Sequence, residues 1–193
     1  MGFIQAGLNA QRSIIVVEQR LSDLPEGVSL RRVCEQDNGF LYRLYASTRA
    51  DEMALLDWND EQKSGFLAMQ FRAQSDFYTQ QFKQASFDVI EREGDAIGRL
   101  YVDRRLAEIR IIDIALLPEC RGKGIGGGIM QALLDEAAEE NKSVSIHVEH
   151  NNPAMHLYRR LGFRHVSDEG VYYLMEWRTD GSSVFDDQEN TAS

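Results

Sequence analysis

The 193-residue sequence predicts an α/β fold. Three patterns carry that prediction. Short apolar runs, several of them alternating, suit strands, and longer stretches with apolar residues three and four apart suit helices. At residues 109–130, an apolar strand stops at a proline, a glycine-rich loop follows, and a helix begins directly: IRIIDIALLPECRGKGIGGGIM.

The elements follow in order. Residues 28–33 read as a strand. Asp37 is placed to cap a helix that runs to about residue 50, with Phe40, Leu41, Leu44 and Tyr45 on one face. Asp60 is placed to cap a second helix to about residue 75, with Phe66, Leu67, Met69 and Phe71 as its apolar contacts. Residues 87–92, 97–102 and 109–116 form three strands joined by short turns, an antiparallel meander in which Gly94-Asp95 suits a tight hairpin. The helix after the glycine loop puts Ile125, Ile129, Ala132 and Leu133 on one face and runs to about residue 140. Val144, Ile146 and Val148 alternate as a strand. Pro153 suits the first turn of a short helix that ends before Gly162, and Val166 and residues 171–177 close the chain as strands. Residues 1–26 are an N-terminal extension in which 14–17 form an edge strand or a flexible arm. The domain takes 27–178, and 179–193, acidic and without a basic residue, are read as a disordered tail.

Composition bounds the function. Hydrophobic residues make up 43% of the chain, so it is globular. The net charge of −10 argues against nucleic acid or an anionic membrane surface as a partner. No apolar run approaches a membrane span, no basic-then-apolar leader opens the chain, and two cysteines make no disulfide framework. A reducing, cytoplasmic setting is the expectation. His147, His150, His156 and His165 form no metal-binding pair with supporting ligands, so no metal is expected.

The glycine loop is the chemical centre. Gly122, Gly124 and Gly126 leave backbone N–H groups open to close approach, and the helix start behind them adds unpaired amides and the positive end of its dipole. Arg121 and Lys123 add charge. The arrangement predicts a bound phosphate group. Residues 122–127 also fit G-x-G-x-x-G, with Glu149 near the place of a ribose-binding acid. A dinucleotide fold should begin near this motif and continue through βα units. Here the strands before it form a meander, and few elements follow, so context disfavours that reading.

These residues resemble the GNAT superfamily of N-acetyltransferases. The family's loop, [RQ]-x-x-G-x-[GA] after a strand and proline, is matched by Arg121-Gly-Lys-Gly124-Ile-Gly126. Its second signature, N-x-x-A-x-x-L-Y-x-x-x-G-F, is matched by residues 151–163, NNPAMHLYRRLGF. The resemblance is dense over 87–177 and extends to 28–86 in element order. It implies a mixed, mostly antiparallel central sheet of six to seven strands with helices on both faces. It implies acetyl-CoA as the acetyl donor: Gly122, Lys123, Gly124, Ile125 and Gly126 at the pyrophosphate with Arg121, the backbone of Ile114, Ala115 and Leu116 along pantetheine, and Asn151 (or Asn152) on the same arm. The strand ending at Leu116 is expected to carry a bulge and to splay from residues 144–148. Tyr158 lies near the thioester sulfur in this scheme.

Acetyl transfer to an amine needs a neutral amine, a polarised thioester carbonyl and a protonated leaving thiolate. Tyr158 is the candidate acid, since a phenol is a suitable donor to a departing thiolate. The backbone N–H near Leu116 is the candidate for polarising the carbonyl. Among candidate bases Glu108 ranks first. Arg110 stands where some relatives carry a catalytic glutamate, and Ile146 stands where others carry an acid. Asp113 lies on the opposite face unless the bulge reverses the alternation. Gly127 and Gly128 are read as close helix–sheet packing. Trp58 and residues 70–78 fall where the family builds its acceptor pocket. The reading is an N-acetyltransferase that passes acetyl directly to the primary amine of a small molecule or peptide in a ternary complex. No cysteine or serine is placed as an acyl carrier. A non-catalytic acyl-CoA-binding sensor is the alternative. The resemblance leaves pairing of two copies through the C-terminal strands open.

Overall fold

The computed structural model describes residues 21–181. The segment 14–17 and nearly all of the acidic tail lie outside them. Seven strands form one open sheet: β1 (Val28–Arg32), β2 (Ser86–Arg92), β3 (Asp95–Arg104), β4 (Glu108–Leu116), β5 (Ser143–Glu149), β6 (Arg164–Glu169) and β7 (Tyr172–Trp177), in the order β1-β2-β3-β4-β5-β7-β6. Among these strands only β4 and β5 are parallel; every other neighbouring pair is antiparallel. The parallel pair needs a crossover, and α4 (Ile125–Glu139) supplies it. On the other side of the chain order, α1 (Asn38–Thr48), α2 (Ala50–Ala54) and α3 (Asp60–Gln81) separate β1 from β2. The short α5 (Met155–Arg160) lies between β5 and β6.

The main core joins the buried face of α4 (Ile129, Met130, Leu133, Ala137) to Ile109 and Ile111 of β4 and Val144, Ile146 and Val148 of β5. A smaller cluster joins α1, α2 and α3 through Tyr45, Met53 and Leu67. Arg104 ties β3 to α4 by a two-pronged bond to Glu136, at 2.6 and 2.8 Å. Leu21, within the segment read as an extension, is buried in the main core, and Leu24 packs against it.

Local chemistry shifts several boundaries. Asn59, not Asp60, caps α3: its Oδ1 accepts from the Gln62 N–H at 2.8 Å while Gln62 Oε1 accepts from the Asn59 N–H. No glycine or proline interrupts residues 66–81, so α3 runs on to Gln81, past the expected residue 75. Asp37 precedes α1, but its carboxylate serves a 3-10 turn over Glu35–Asp37. It accepts from the Cys34 N–H at 2.8 Å and takes a two-pronged bond from Arg31 at 2.7 Å in each arm. The β2–β3 hairpin turns at Glu93-Gly94, one residue earlier than expected, because Arg92 pairs with Asp95. Both turn residues have positive φ, 54° and 91°, as a two-residue hairpin of this twist requires. Gly128 does not pack on the sheet: a side chain there would run into the ring of Pro25.

Candidate active site

The site begins where β4 and β5 part. They pair from Glu108 with Ser143 to Ile111 with Ile146 and no further, although β4 runs on to Leu116 and β5 to Glu149. The cause lies on the opposite edge of β4. Val102 of β3 faces Ile111 while Tyr101 faces Asp113, so Ile112 is an extra residue. Such a bulge bends its strand and steepens the local twist. The outer half of β4, with Ile114, Ala115 and Leu116, therefore leaves β5 and lines a fork. Arg121 Nε donates to the Leu116 carbonyl at 2.8 Å. The guanidinium thus lies over the strand end in this structure, and meeting a phosphate requires its remaining nitrogens or a change of rotamer.

At the mouth of the fork stands the glycine loop. Gly122 and Gly124 have φ of 70° and 83°, and no atom lies within 4 Å of where a Cβ would project from either. Gly124 caps α4 with a left-handed backbone, and its carbonyl accepts from the Gly128 N–H at 2.9 Å. The amides of Ile125, Gly126 and Gly127 therefore open the helix without intrahelical partners. The Ile125 side chain is buried, so only its backbone can meet a ligand. This concave, side-chain-free cradle of amides at the positive end of α4 suits a pyrophosphate.

The segment 151–163 fixes Tyr158, which is 4% exposed. Asn152 Oδ1 accepts from the Ala154 N–H at 2.8 Å and so is committed to starting α5, whereas Asn151 is exposed. The helix ends in paired reverse bonds: the Gly162 N–H to the Arg159 carbonyl at 3.1 Å, and the Phe163 N–H to the Tyr158 carbonyl at 3.0 Å. Gly162 has φ of 92°, the left-handed step this ending needs. The Tyr158 ring meets Phe163 edge-on at 5.8 Å. The spacing Leu157-Tyr158-x-x-x-Gly162-Phe163 is therefore a helix stop that clamps the tyrosine. Burial, and next the charge of Asp113, push the Tyr158 phenol up, so it stays protonated.

The bulge also settles the face of Asp113, which joins the polar face under α3. Its Oδ2 accepts from Arg99 Nη2 at 2.5 Å and from the Tyr78 hydroxyl at 3.4 Å. Arg99 is 3% exposed, also donates to Gln74 at 2.9 Å, and keeps its buried Nε without a partner among the described residues. Burial raises Tyr78 and Tyr101 as well. Glu108, ranked first as base, stands at the opposite, closed end of the fork. It accepts from Ser145 Oγ and from Arg105 at 2.7 Å. The strands are still paired there, so its carboxylate does not reach the gap. His147 is also committed: Arg110 Nη2 sits 2.7 Å from its Nδ1 and Glu169 2.8 Å from its Nε2. Arg110 can only donate, so Nδ1 is the acceptor in this contact and Nε2 faces Glu169. Arg49 holds Glu149 at 3.2 Å.

Two surface depressions lie elsewhere, one at the end of α3 beside the β3–β4 turn and one beside α5. Neither includes a residue of the fork's open half or of the glycine loop. Among the described residues, no three His, Cys, Asp or Glu side chains gather as a metal site, and no helix is long and apolar enough to cross a membrane.

Comparison with known proteins agrees with this fold. A family model described as Acetyltransferase (GNAT) family matches residues 51–163. An N-alpha-acetyltransferase of Sulfurisphaera tokodaii is 26% identical over 114 residues, covering 50% of this chain and 68% of that protein. The fold is shared with PaiA N-acetyltransferase from Thermoplasma acidophilum in complex with coenzyme A, at a TM-score of 0.58 and 16% identity over 78% of this chain and 98% of that one. It is shared too with spermidine N-acetyltransferase from Vibrio cholerae in complex with CoA and spermine, at 0.55 and 18% over 81% and 98%. With the fork, the amide cradle and both sequence signatures in place, the chain belongs to the acetyltransferase (GNAT) family, whose N-acetyltransferases are acyl-CoA-dependent acyltransferases.

Proposed function

We propose that this protein transfers the acetyl group of acetyl-CoA to a primary amine by direct attack. The observation that carries the reading is the fork between β4 and β5 with an amide cradle at its mouth, and the Tyr158 phenol, held protonated, supports it. Acetyl-CoA is the donor substrate and supplies the acetyl group as a thioester. The amides of Gly122, Lys123, Gly124, Ile125 and Gly126 hold its pyrophosphate, with Lys123 and a reoriented Arg121 adding charge. The unpaired edge of Ile114, Ala115 and Leu116 binds the pantetheine amides, and Asn151, exposed where Asn152 is committed, bonds the same arm. Tyr158 protonates the leaving thiolate.

The acceptor is a small-molecule or peptide amine. The relative named for N-alpha-acetylation and the neighbour holding spermine both support an amine. The test is thiol release from acetyl-CoA over a panel of amines: free-amino-terminus peptides, polyamines and arylalkylamines. Amine-dependent thiol release with an equal yield of N-acetyl product is expected. Tight acetyl-CoA binding with no release across the panel would instead favour a sensor of the same fold.

A further inference from the structure

We infer that Asp113 is the group that receives the acceptor's proton, and that Arg99 and Tyr78 position it. This inference rests on the acetyl-transfer reading above. Three independent observations converge on it. The bulge at Ile112 turns Asp113 onto the polar face and sets it directly beyond Ile111, the last β4 residue paired with β5. Asp113 therefore stands at the apex of the fork, next to the strand segment that would hold the thioester arm. Its side chain is only 15% exposed, yet just one of its oxygens is engaged: Oδ2 takes both Arg99 at 2.5 Å and Tyr78 at 3.4 Å, which leaves Oδ1 without a partner among the described residues. Of the other acids on this face, Glu108 is matched by Arg105 and Ser145, Glu149 by Arg49 and Glu169 by His147, while Glu176 lies across from Ser145 at the closed end of the fork, 3.3 Å from Arg178.

The electrostatics are consistent with this geometry. The charge of Asp113 reaches the Tyr158 phenol and helps hold it in the protonated form. The groups that surround Asp113 are Arg99 and Tyr101 from β3, Tyr78 and Gln74 from α3, and Tyr158 from α5. Arg99 is the only cation among them.

Atoms and electrons balance in this step. A neutral amine donates one N–H to Asp113 Oδ1, which turns its lone pair toward the acetyl carbon. The N–C bond forms as the C–S bond breaks, and the electron pair of that bond leaves with sulfur. The proton on the new ammonium nitrogen passes to Asp113, and the Tyr158 hydroxyl proton passes to sulfur. The proton on Asp113 then returns through solvent to the Tyr158 phenolate. Arg99 keeps the carboxylate turned so that Oδ1 rather than Oδ2 faces the gap.

Asp113→Asn tests this, with one control for structure and one readout that a merely structural role would not move. The first is calorimetric binding of acetyl-CoA, expected within about twofold of wild type because Asp113 does not touch the donor. The second is the pH profile of thiol release, with tyramine, spermidine and a free-amino-terminus tetrapeptide as acceptor probes. The variant should lose on the order of 100-fold in kcat. Its residual rate should climb continuously with pH, as solvent takes over the proton, whereas wild type levels off. Tyr78→Phe should lower kcat severalfold with KM for the amine nearly unchanged. If Asp113→Asn folds poorly beside the buried Arg99, the pair replacement Arg99→Met with Asp113→Asn removes both charges and gives the same two measurements. A kcat within threefold of wild type, or an unchanged pH profile, overturns the assignment and leaves acetyl transfer standing. Wild type that binds acetyl-CoA but acetylates no probe overturns both.

Discussion

Replacing Gly98 with alanine probes the strand on which the donor site is built. Gly98 of β3 lies opposite Leu116 of β4. A Cβ there would sit 2.7 Å from Leu116 Cδ2 and closer still to the Ala115 carbonyl oxygen, whereas ordinary Cβ contacts begin at 3.4 Å. The side chain of Leu116 can rotate away, but a backbone carbonyl in a paired strand cannot. The outer half of β4 must therefore shift by several tenths of an ångström or more. Overpacking of this kind costs about 1–3 kcal/mol, which for a chain of this size lowers Tm by about 3–10 °C. The same shift moves Ala115 and Leu116, so acetyl-CoA affinity should fall at least about tenfold, the equivalent of 1.4 kcal/mol. Gly126→Ala is the internal control for stability: its Cβ meets only Leu116 Cδ1, at an ordinary 3.7 Å. It lies in the first turn of α4, where alanine gains up to about 1 kcal/mol over glycine. Differential scanning calorimetry and isothermal titration of both variants decide the matter. An unchanged Tm for Gly98→Ala refutes the close approach of β3 to β4. A lowered Tm with undiminished acetyl-CoA affinity refutes the pantetheine role of Ala115 and Leu116.

Three further outcomes are expected. Tyr158→Phe should lower kcat by about 100-fold while leaving the acetyl-CoA Kd within about threefold, and an unchanged kcat with chemistry rate-limiting removes Tyr158 as the acid. Gly124→Val forces a branched side chain into a backbone of φ 83°. It should cost about 1–2 kcal/mol in stability and abolish acetyl-CoA binding, so a folded variant with full affinity contradicts the cradle. Asp37→Asn should destabilise by about 2–3 kcal/mol at neutral pH, the lower range for breaking such a pair because Arg31 is 38% exposed. Arg31, above all, holds the Asp37 carboxyl below its ordinary 3.8. A depressed carboxylate contributes fully above its unfolded value and loses that contribution as pH falls through the folded one. The gap between wild type and variant in denaturant titrations should accordingly be widest at neutral pH and narrow below pH 3.8. A gap that widens on acidification would show that the Arg31 pair is not its source.

The order of strands and helices was legible because each buried face repeats with a clear period. Leu41, Leu44 and Tyr45 mark α1, and Val144, Ile146 and Val148 mark β5. The loop and the 151–163 signature were legible because their glycines fill distinct backbone roles. Gly124 caps α4 and Gly162 ends α5, both in the left-handed region. What the sequence hid was register. One extra residue, Ile112, inverts the facing of every side chain after it, so alternation counted from Ile109 puts Asp113 on the wrong face. The same counting made Glu108 attractive as a base, since nothing local reveals that β4 and β5 are still paired there. Side-chain commitments were hidden too. Asp37 is a sound helix cap by type, but Arg31, brought close by β1, claims its carboxylate. Gly128 reads as helix–sheet packing until Pro25 is found against it, a contact between segments about a hundred residues apart.

The acetyl-donor site stands or falls on calorimetric titration of acetyl-CoA into the folded protein, with NAD as the control ligand. One site per chain of micromolar affinity for acetyl-CoA is expected, with no heat from NAD and loss of the acetyl-CoA signal in Gly124→Val. Folded protein that takes up NAD, or that gives no acetyl-CoA signal at all, would contradict the reading of the fork and its amide cradle.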